Sequence, residues 1–245
     1  MGDGPSLATA ERRAELRANL ARVRERIEAA SRAAGRSSAP QLIVVTKFHP
    51  ASDVRALAEL GVTEVGENRD QEASAKAGEL ADLELSWHFI GQLQTNKAKS
   101  VVRYADTVHS VDRPALASAL AKAAASEPAR EGRPPLACLI QVNLDQDAAS
   151  GRGGALPGEI PGLADLIESS PALRLAGIMA VAPLGEDPAR AFARLADCAA
   201  GLRNSHPHAT MVSAGMSQDL EQAIAAGATH VRIGTDVLGP RPRVL

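Results

Sequence analysis

Apolar residues along the chain follow two rhythms in turn. Between residues 7 and 34, Leu16, Leu20, Val23 and Ile27 recur at steps of four, three and four, with arginines and glutamates between them. That spacing lays one narrow apolar stripe along a helix, and a stripe of this width suits packing against a larger body. Gly35 and Pro40 close the stretch because neither continues a helix well. Residues 42–45, Leu-Ile-Val-Val, then form an unbroken, mostly β-branched run, as expected of a strand covered on both faces in a parallel sheet. After it, Ser52 or Asp53 is placed to cap a helix that reaches Leu60 and stops at Gly61.

The same alternation continues to the end of the chain. Strand-like segments are predicted at 62–66, 87–91, 107–111, 136–143, 173–181, 211–213 and 230–233, each followed by helical periodicity or a turn. With residues 42–45 the strands number eight, and eight strand-then-helix units are what a TIM-type (β/α)8 barrel needs to close. The expectation is one α/β domain over residues 1–245, with an extra N-terminal helix over 7–34 packed on the barrel. Residues 121–135 and 151–162 read as loop-rich, and neither reads as a domain boundary.

Composition narrows the functional classes. The 27 Lys and Arg nearly balance the 29 Asp and Glu, which gives no reason to expect nucleic-acid coating or strong attraction to a membrane. Aromatic residues make up 2% of the chain, too few for a base-stacking platform. Cys138 and Cys198 lack metal-ligand spacing and read as buried thiols of a reducing compartment. His49, His109, His206, His208 and His230 also lack such spacing, so no metal is expected. There is no uninterrupted apolar run of about eighteen residues and no positive-then-apolar leader pattern, so a cytoplasmic protein is expected.

Candidate chemistry lies at the predicted carboxyl ends of the strands, where barrels carry their sites. The first strand ends in Lys47, which reads either as a solvated strand-end lysine or, beside a dry core, as a nucleophile that forms Schiff bases. The second runs into Gly66-Glu67-Asn68, and the third holds His88 ahead of Gly91-Gln92-Leu93-Gln94-Thr95-Asn96-Lys97. His88, between Trp87 and Phe89, also reads as a hydrogen-bonded core histidine. Lys97 and Lys99 read as a solvated face. The fourth strand ends in His109-Ser110, the fifth in Asn143, and the sixth in Met179-Ala180. The seventh opens into Ser213-Ala214-Gly215-Met216-Ser217, and the eighth carries Arg232 before Gly234-Thr235. Small residues after strands seven and eight let backbone N–H groups approach a phosphate, and Arg232 adds charge. A lysine facing a phosphate site admits a sugar-phosphate aldolase or a pyridoxal phosphate protein.

The motifs decide between them by likeness. Val45-Thr46-Lys47, Gly66-Glu67-Asn68 with Gln71-Glu72, the string from Trp87 to Lys97, Met216-Ser217-Gln218-Asp219, and Val231-Arg232-Ile233-Gly234-Thr235 closely resemble the pyridoxal phosphate homeostasis proteins, relatives of the N-terminal barrel of alanine racemase. The resemblance covers nearly all of the chain. It implies that Lys47 holds pyridoxal 5'-phosphate (PLP) as an internal aldimine, and that Asn68, His88 and Met179 line its ring. It also implies that Ser213, Gly215, Arg232, Gly234 and Thr235 take its phosphate. The chain departs from the family pattern at Thr46, where Ser is usual, and at Ala214-Gly215, where Met-Gly is usual. It departs again in 145–154, where Arg152 stands near the place of a lysine.

Racemisation needs proton-transfer groups on both faces of the reacting carbon. In the racemases that this family resembles, the second group is a tyrosine from another domain of the partner subunit. The sequence ends shortly after the eighth strand, and Tyr104, its one tyrosine, falls late in a helical stretch, on the side away from the site. The expectation is a non-catalytic, monomeric carrier that buffers PLP and passes it to apo-enzymes, with a minimal racemase as the alternative.

Overall fold

A computed structural model describes residues 7–145 and 153–240. Eight parallel strands close into a barrel in sequence order. They are β1 (Gln41–Val45), β2 (Glu64–Glu67), β3 (Ser86–Phe89), β4 (Thr107–Val111), β5 (Leu136–Gln141), β6 (Leu173–Met179), β7 (Met211–Ser213) and β8 (His230–Ile233). Closure is made by β1 against β8, with Ile43 beside Arg232 and Val44 beside Ile233. Each predicted strand has its counterpart within a few residues.

Helices cover the outside of the barrel: α1 (Ala10–Ala33), α2 (Ala51–Glu59), α3 (Asp70–Glu79), α4 (Ala98–Tyr104), α5 (Pro114–Ser126), α6 (Ile160–Glu168), α7 (Pro188–Ser205), α8 (Leu220–Ala225) and α9 (Thr235–Leu238). Alternation along the strands splits the core in two. Val44, Val65, Trp87, Phe89, Val108 and Ile140 face the helices and join one large apolar cluster. Ala137, Leu139, Ala176 and Met179 form a second, smaller cluster, with Met211 packed against it.

Helix α1 starts at Thr9, whose hydroxyl accepts from the Arg12 N–H at 3.2 Å. Its predicted stripe is buried, with Leu16, Leu20, Val23 and Ile27 all under 5% exposed. Full burial of such side chains stabilises by about 2 kcal/mol each before entropy is subtracted. Polar contacts fix its orientation on the barrel. Arg12 grips the Asp53 carboxylate and the Leu238 carbonyl, Asn19 donates to the Val237 carbonyl, and Arg26 pairs with Glu221 and Asp236.

Two local expectations are corrected. The cap position of α2 is Pro50, with no side-chain cap, because Asp53 already receives the Arg12 guanidinium. Residues 121–126, expected within a loop-rich stretch, continue α5 to Ser126. The run of alanines there is strongly helix-forming, and Leu116, Leu120, Ala123 and Ala124 are buried.

Candidate functional site

The ordered closure of the barrel brings the predicted residues onto neighbouring strand ends. Gly215 follows β7, Gly234 and Thr235 follow β8, Lys47 follows β1, and Asn68 follows β2. Met179 ends β6 and lies in register with Ser213, the last residue of β7. All open toward the carboxyl ends of the strands, the functional face of such barrels.

Lys47 begins the turn after β1. The next residue, Phe48, has φ +69°, the one positive φ of a non-glycine residue among the described residues. A side chain there costs conformational energy, and such strain gathers at functional sites. The Arg69 guanidinium lies over the Phe48 ring at 5.1 Å, a cation–π contact.

Inside the barrel, polar groups form a continuous chain. Arg232 donates from Nη1 to Ser213 Oγ at 2.6 Å and from Nη2 to the Ala180 carbonyl at 3.0 Å. Ser213 Oγ meets His109 Nδ1 at 3.0 Å, His109 Nε2 meets His88 Nδ1 at 2.8 Å, and His88 Nε2 meets the Glu64 carboxylate. Only one proton arrangement uses every donor of the chain. Arg232 donates to Ser213, the Ser213 hydroxyl donates to His109 Nδ1, His109 Nε2–H donates to His88 Nδ1, and His88 Nε2–H donates to Glu64.

Electrostatics agree with that direction. Burial, aided by the nearby Arg232 cation, holds His109 well below the ordinary histidine pKa and so favours the neutral ring. Burial also lowers Arg232 to about 10, opposed by Asp219, which leaves it a cation near neutral pH. Burial raises Glu64, but the His88 hydrogen bond and the neighbouring charges outweigh it and hold the carboxyl below its usual value.

The turns after β7 and β8 are tight. Gly215 has φ +92°, and a Cβ there would stand 2.7 Å from that of Ala223, so no side chain fits without displacing α8. Its carbonyl accepts from the Arg232 N–H at 2.9 Å, which ties the β7 turn to β8. Helix α9 opens at Thr235 directly after Gly234, and the first N–H groups of a helix have no carbonyl partner within it. A Cβ on Gly234 would stand 3.1 Å from the Val45 carbonyl, which sets this turn beside the strand that carries Lys47.

A cleft of about 530 Å³ opens beside these strand ends, lined by Asn68, Arg69, Gln71, Glu72, Gln92, Gln94 and Lys97 among others. Of the predicted site residues it takes in Asn68 alone. The side chain of Lys97 is half exposed and lies 3.8 Å from Asp70. Asn68 Oδ1 is buried without a hydrogen-bond partner, a costly state that a bound donor would relieve.

Not every predicted residue reaches the rim. His88 is 4% exposed and has both ring nitrogens engaged within the barrel, the arrangement of a core histidine. Ser213 and Arg232 bond each other. The Tyr104 hydroxyl lies 3.5 Å from Asp70, and burial raises its pKa. Arg152 lies outside the described residues. Glu64 and His109, which complete the interior chain, were not among the predicted site residues. Their signal was the two-residue alternation that turns His88, His109, Ser213 and Arg232 the same way. Among the described residues no group of three or more His, Cys, Asp or Glu is arranged to hold a metal.

At this end the barrel gathers an amine after β1, a buried cation on β8, glycine turns after β7 and β8, and an unsatisfied amide oxygen at Asn68. The fold and rim therefore define a (β/α)8 barrel of the lysine-bearing, alanine racemase-like class. The alanine racemase N-terminal domain family matches residues 18–242. The pyridoxal phosphate homeostasis protein of Corynebacterium glutamicum is 47% identical over 204 residues, covering 82% of this chain and 90% of the relative. That of Escherichia coli is 38% identical over 230 residues, covering 91% and 95%. Among solved structures, PipY of Synechococcus elongatus with PLP bound is 37% identical with a TM-score of 0.75, covering 91% of this chain and 100% of PipY. Alanine racemase of C. glutamicum, at 15% identity and a TM-score of 0.65, covers 95% of this chain and 62% of its own and shares the fold. The chain belongs to the pyridoxal phosphate homeostasis proteins of the alanine racemase N-terminal domain family.

Proposed function

We propose that the protein binds PLP on Lys47 and serves as a buffer and donor of the cofactor in the cytoplasm. The observation that carries this reading is the position of Lys47 just after β1, whose neighbour β8 is followed by the Gly234 turn packed against Val45. When bound, PLP would supply an aldehyde, and Lys47 would hold it covalently through its amine. Storage in this form keeps a reactive aldehyde out of solution, and the reverse reaction returns it.

This chain's own residues divide the remaining work. The backbone turns at Gly215, Gly234 and Thr235 receive the phosphate, and Asn68 and Met179 border the ring. Arg232 offers a fixed positive charge from the barrel interior, held in place by Ser213 and the Ala180 carbonyl. His88 acts from beneath, through His109 and Ser213, as part of the floor of the site.

A carrier role suits the side chains in reach. The hydroxyl of the chain's one tyrosine lies 3.5 Å from Asp70, and burial raises its pKa. Leu156, Val181, Leu184 and Met216, on the loops after β5, β6 and β7, stand exposed at this end. Exposed apolar side chains of this kind suit a transient contact with a recipient protein, and a monomer leaves them open.

The test is transfer. Holo-protein mixed with an apo-enzyme that needs PLP is expected to activate it faster than the holo-protein releases PLP on its own. Activation no faster than spontaneous release contradicts delivery. Single-enantiomer amino acids incubated with the holo-protein are expected to keep their optical rotation, and a decaying signal would favour the racemase.

A further inference from the structure

We infer that Lys76 is a positioning residue for Lys47, clamping the peptide groups on both sides of it to helix α3. The inference rests on the reading of Lys47 as the PLP-bearing residue. Lys76 lies on α3, is 7% exposed, and points back toward the end of β1. Its Nζ donates to the Thr46 carbonyl at 2.8 Å, to Glu67 Oε1 at 2.7 Å and to Glu72 Oε1 at 2.7 Å. An ammonium has three N–H donors, and all three are used. Lys76 is therefore no second nucleophile.

The acceptors explain the role. The Thr46 carbonyl belongs to the peptide bond that enters Lys47. The bond that leaves Lys47 carries the Phe48 N–H, which donates to Glu72 Oε1 at 2.5 Å. Lys76 holds the first of these groups directly and the second through Glu72, four residues earlier on the same helix face. The Thr46 hydroxyl completes the clamp by donating to Glu67 Oε1 at 2.7 Å. With both flanking peptide planes fixed, the direction in which the Lys47 side chain leaves the backbone is fixed too.

The clamp also accounts for two costly features. Phe48 keeps its positive φ, which persists only where surroundings over-determine it. Glu67 is fully buried with Oε2 unpartnered, and burial raises its pKa. A lone buried carboxylate is unfavourable, and Lys76 offsets that cost while bridging it to the backbone beside Lys47. Neither feature is needed merely to pack α3 on the barrel.

The test compares Lys76→Met with Glu72→Ala, which removes the acceptor of the Phe48 N–H from a side chain that is 23% exposed and so spares the core. Hydrogen exchange at the Phe48 amide is measured in the apo-protein, and the rate of PLP loss in the holo-protein. Thermal melting establishes that each variant is folded. Either folded variant is expected to exchange the Phe48 amide about tenfold faster and to lose PLP about tenfold faster, the scale of one lost buried hydrogen bond. Borohydride should still trap the adduct on Lys47. Unchanged exchange and unchanged PLP loss in folded Glu72→Ala overturn the inference, even if Lys76→Met fails to fold. If the wild-type protein forms no adduct on Lys47, the carrier reading fails, while the apo-protein exchange rates still decide whether the clamp exists.

Discussion

Arg232 and Ser213 are joined by a 2.6 Å hydrogen bond between neighbouring strands, and this bond makes both side chains members of one buried polar chain. Ser213 is the hinge of that chain, because it accepts from a cation on one side and donates to a neutral histidine on the other. Ser213→Ala leaves Arg232 Nη1 and His109 Nδ1 each short of a partner. A loss of roughly 1–3 kcal/mol in stability is expected by urea unfolding, and a loss under a few tenths contradicts the assignment.

Proton placement in the chain is directly observable. Histidine ¹⁵N spectra near neutral pH are expected to show His109 protonated at Nε2 and bare at Nδ1, with His88 Nε2–H hydrogen-bonded to Glu64. A proton on His109 Nδ1 would reverse the direction of the whole chain.

Acid should weaken the fold through the buried histidines. Burial holds His230 down to about 4, opposed by Glu64, and it holds His109 well below the ordinary histidine value. From pH 6.5 down to about 4 the unfolded chain therefore binds protons that the folded one resists. Stability is full above the unfolded pKa and falls as pH falls through this window, by up to about 1.4 kcal/mol per pH unit for each group. Glu67, whose pKa burial raises, acts in the opposite sense and loses its contribution as pH rises above 4.5. The comparison of wild type with His230→Gln isolates one group. The variant is expected to show a shallower slope between pH 6.5 and 4, and parallel curves contradict the assignment.

One ion pair that helps fasten helix α1 is largely buried. Arg12 Nη2 lies 2.7 Å from Asp53 Oδ2, and Asp53 is 5% exposed. Arg12→Ala leaves that carboxylate buried and is expected to cost about 2–3 kcal/mol by chemical denaturation. A change within 0.5 kcal/mol would show that this ion pair does not fasten α1.

The fold was legible because each buried strand is a short apolar run bounded by turn residues, and because Leu16, Leu20, Val23 and Ile27 keep strict helical spacing. Where the reading failed, a tertiary partner or a propensity prevailed. Ser52 or Asp53 was expected as a cap, but Pro50 takes that place and Asp53 serves Arg12, a residue 41 positions away. The alanines of 121–126 were read as loop beside Pro and Gly yet extend α5. The places of Lys47, Asn68 and the glycines just after their strands were legible. The roles of His109 and Glu64 were not, since they depend on which strands face each other across the barrel. Lys76 showed only its four-residue spacing from Glu72, and its hold on the Thr46 carbonyl exists only once α3 docks against β1.

The most direct measurement is the mass of the borohydride-reduced holo-protein after proteolysis. A pyridoxyl phosphate adduct on the peptide that carries Lys47, absent in Lys47→Ala, is the expected result. An adduct on another lysine, or none while PLP stays bound, contradicts the assignment of Lys47.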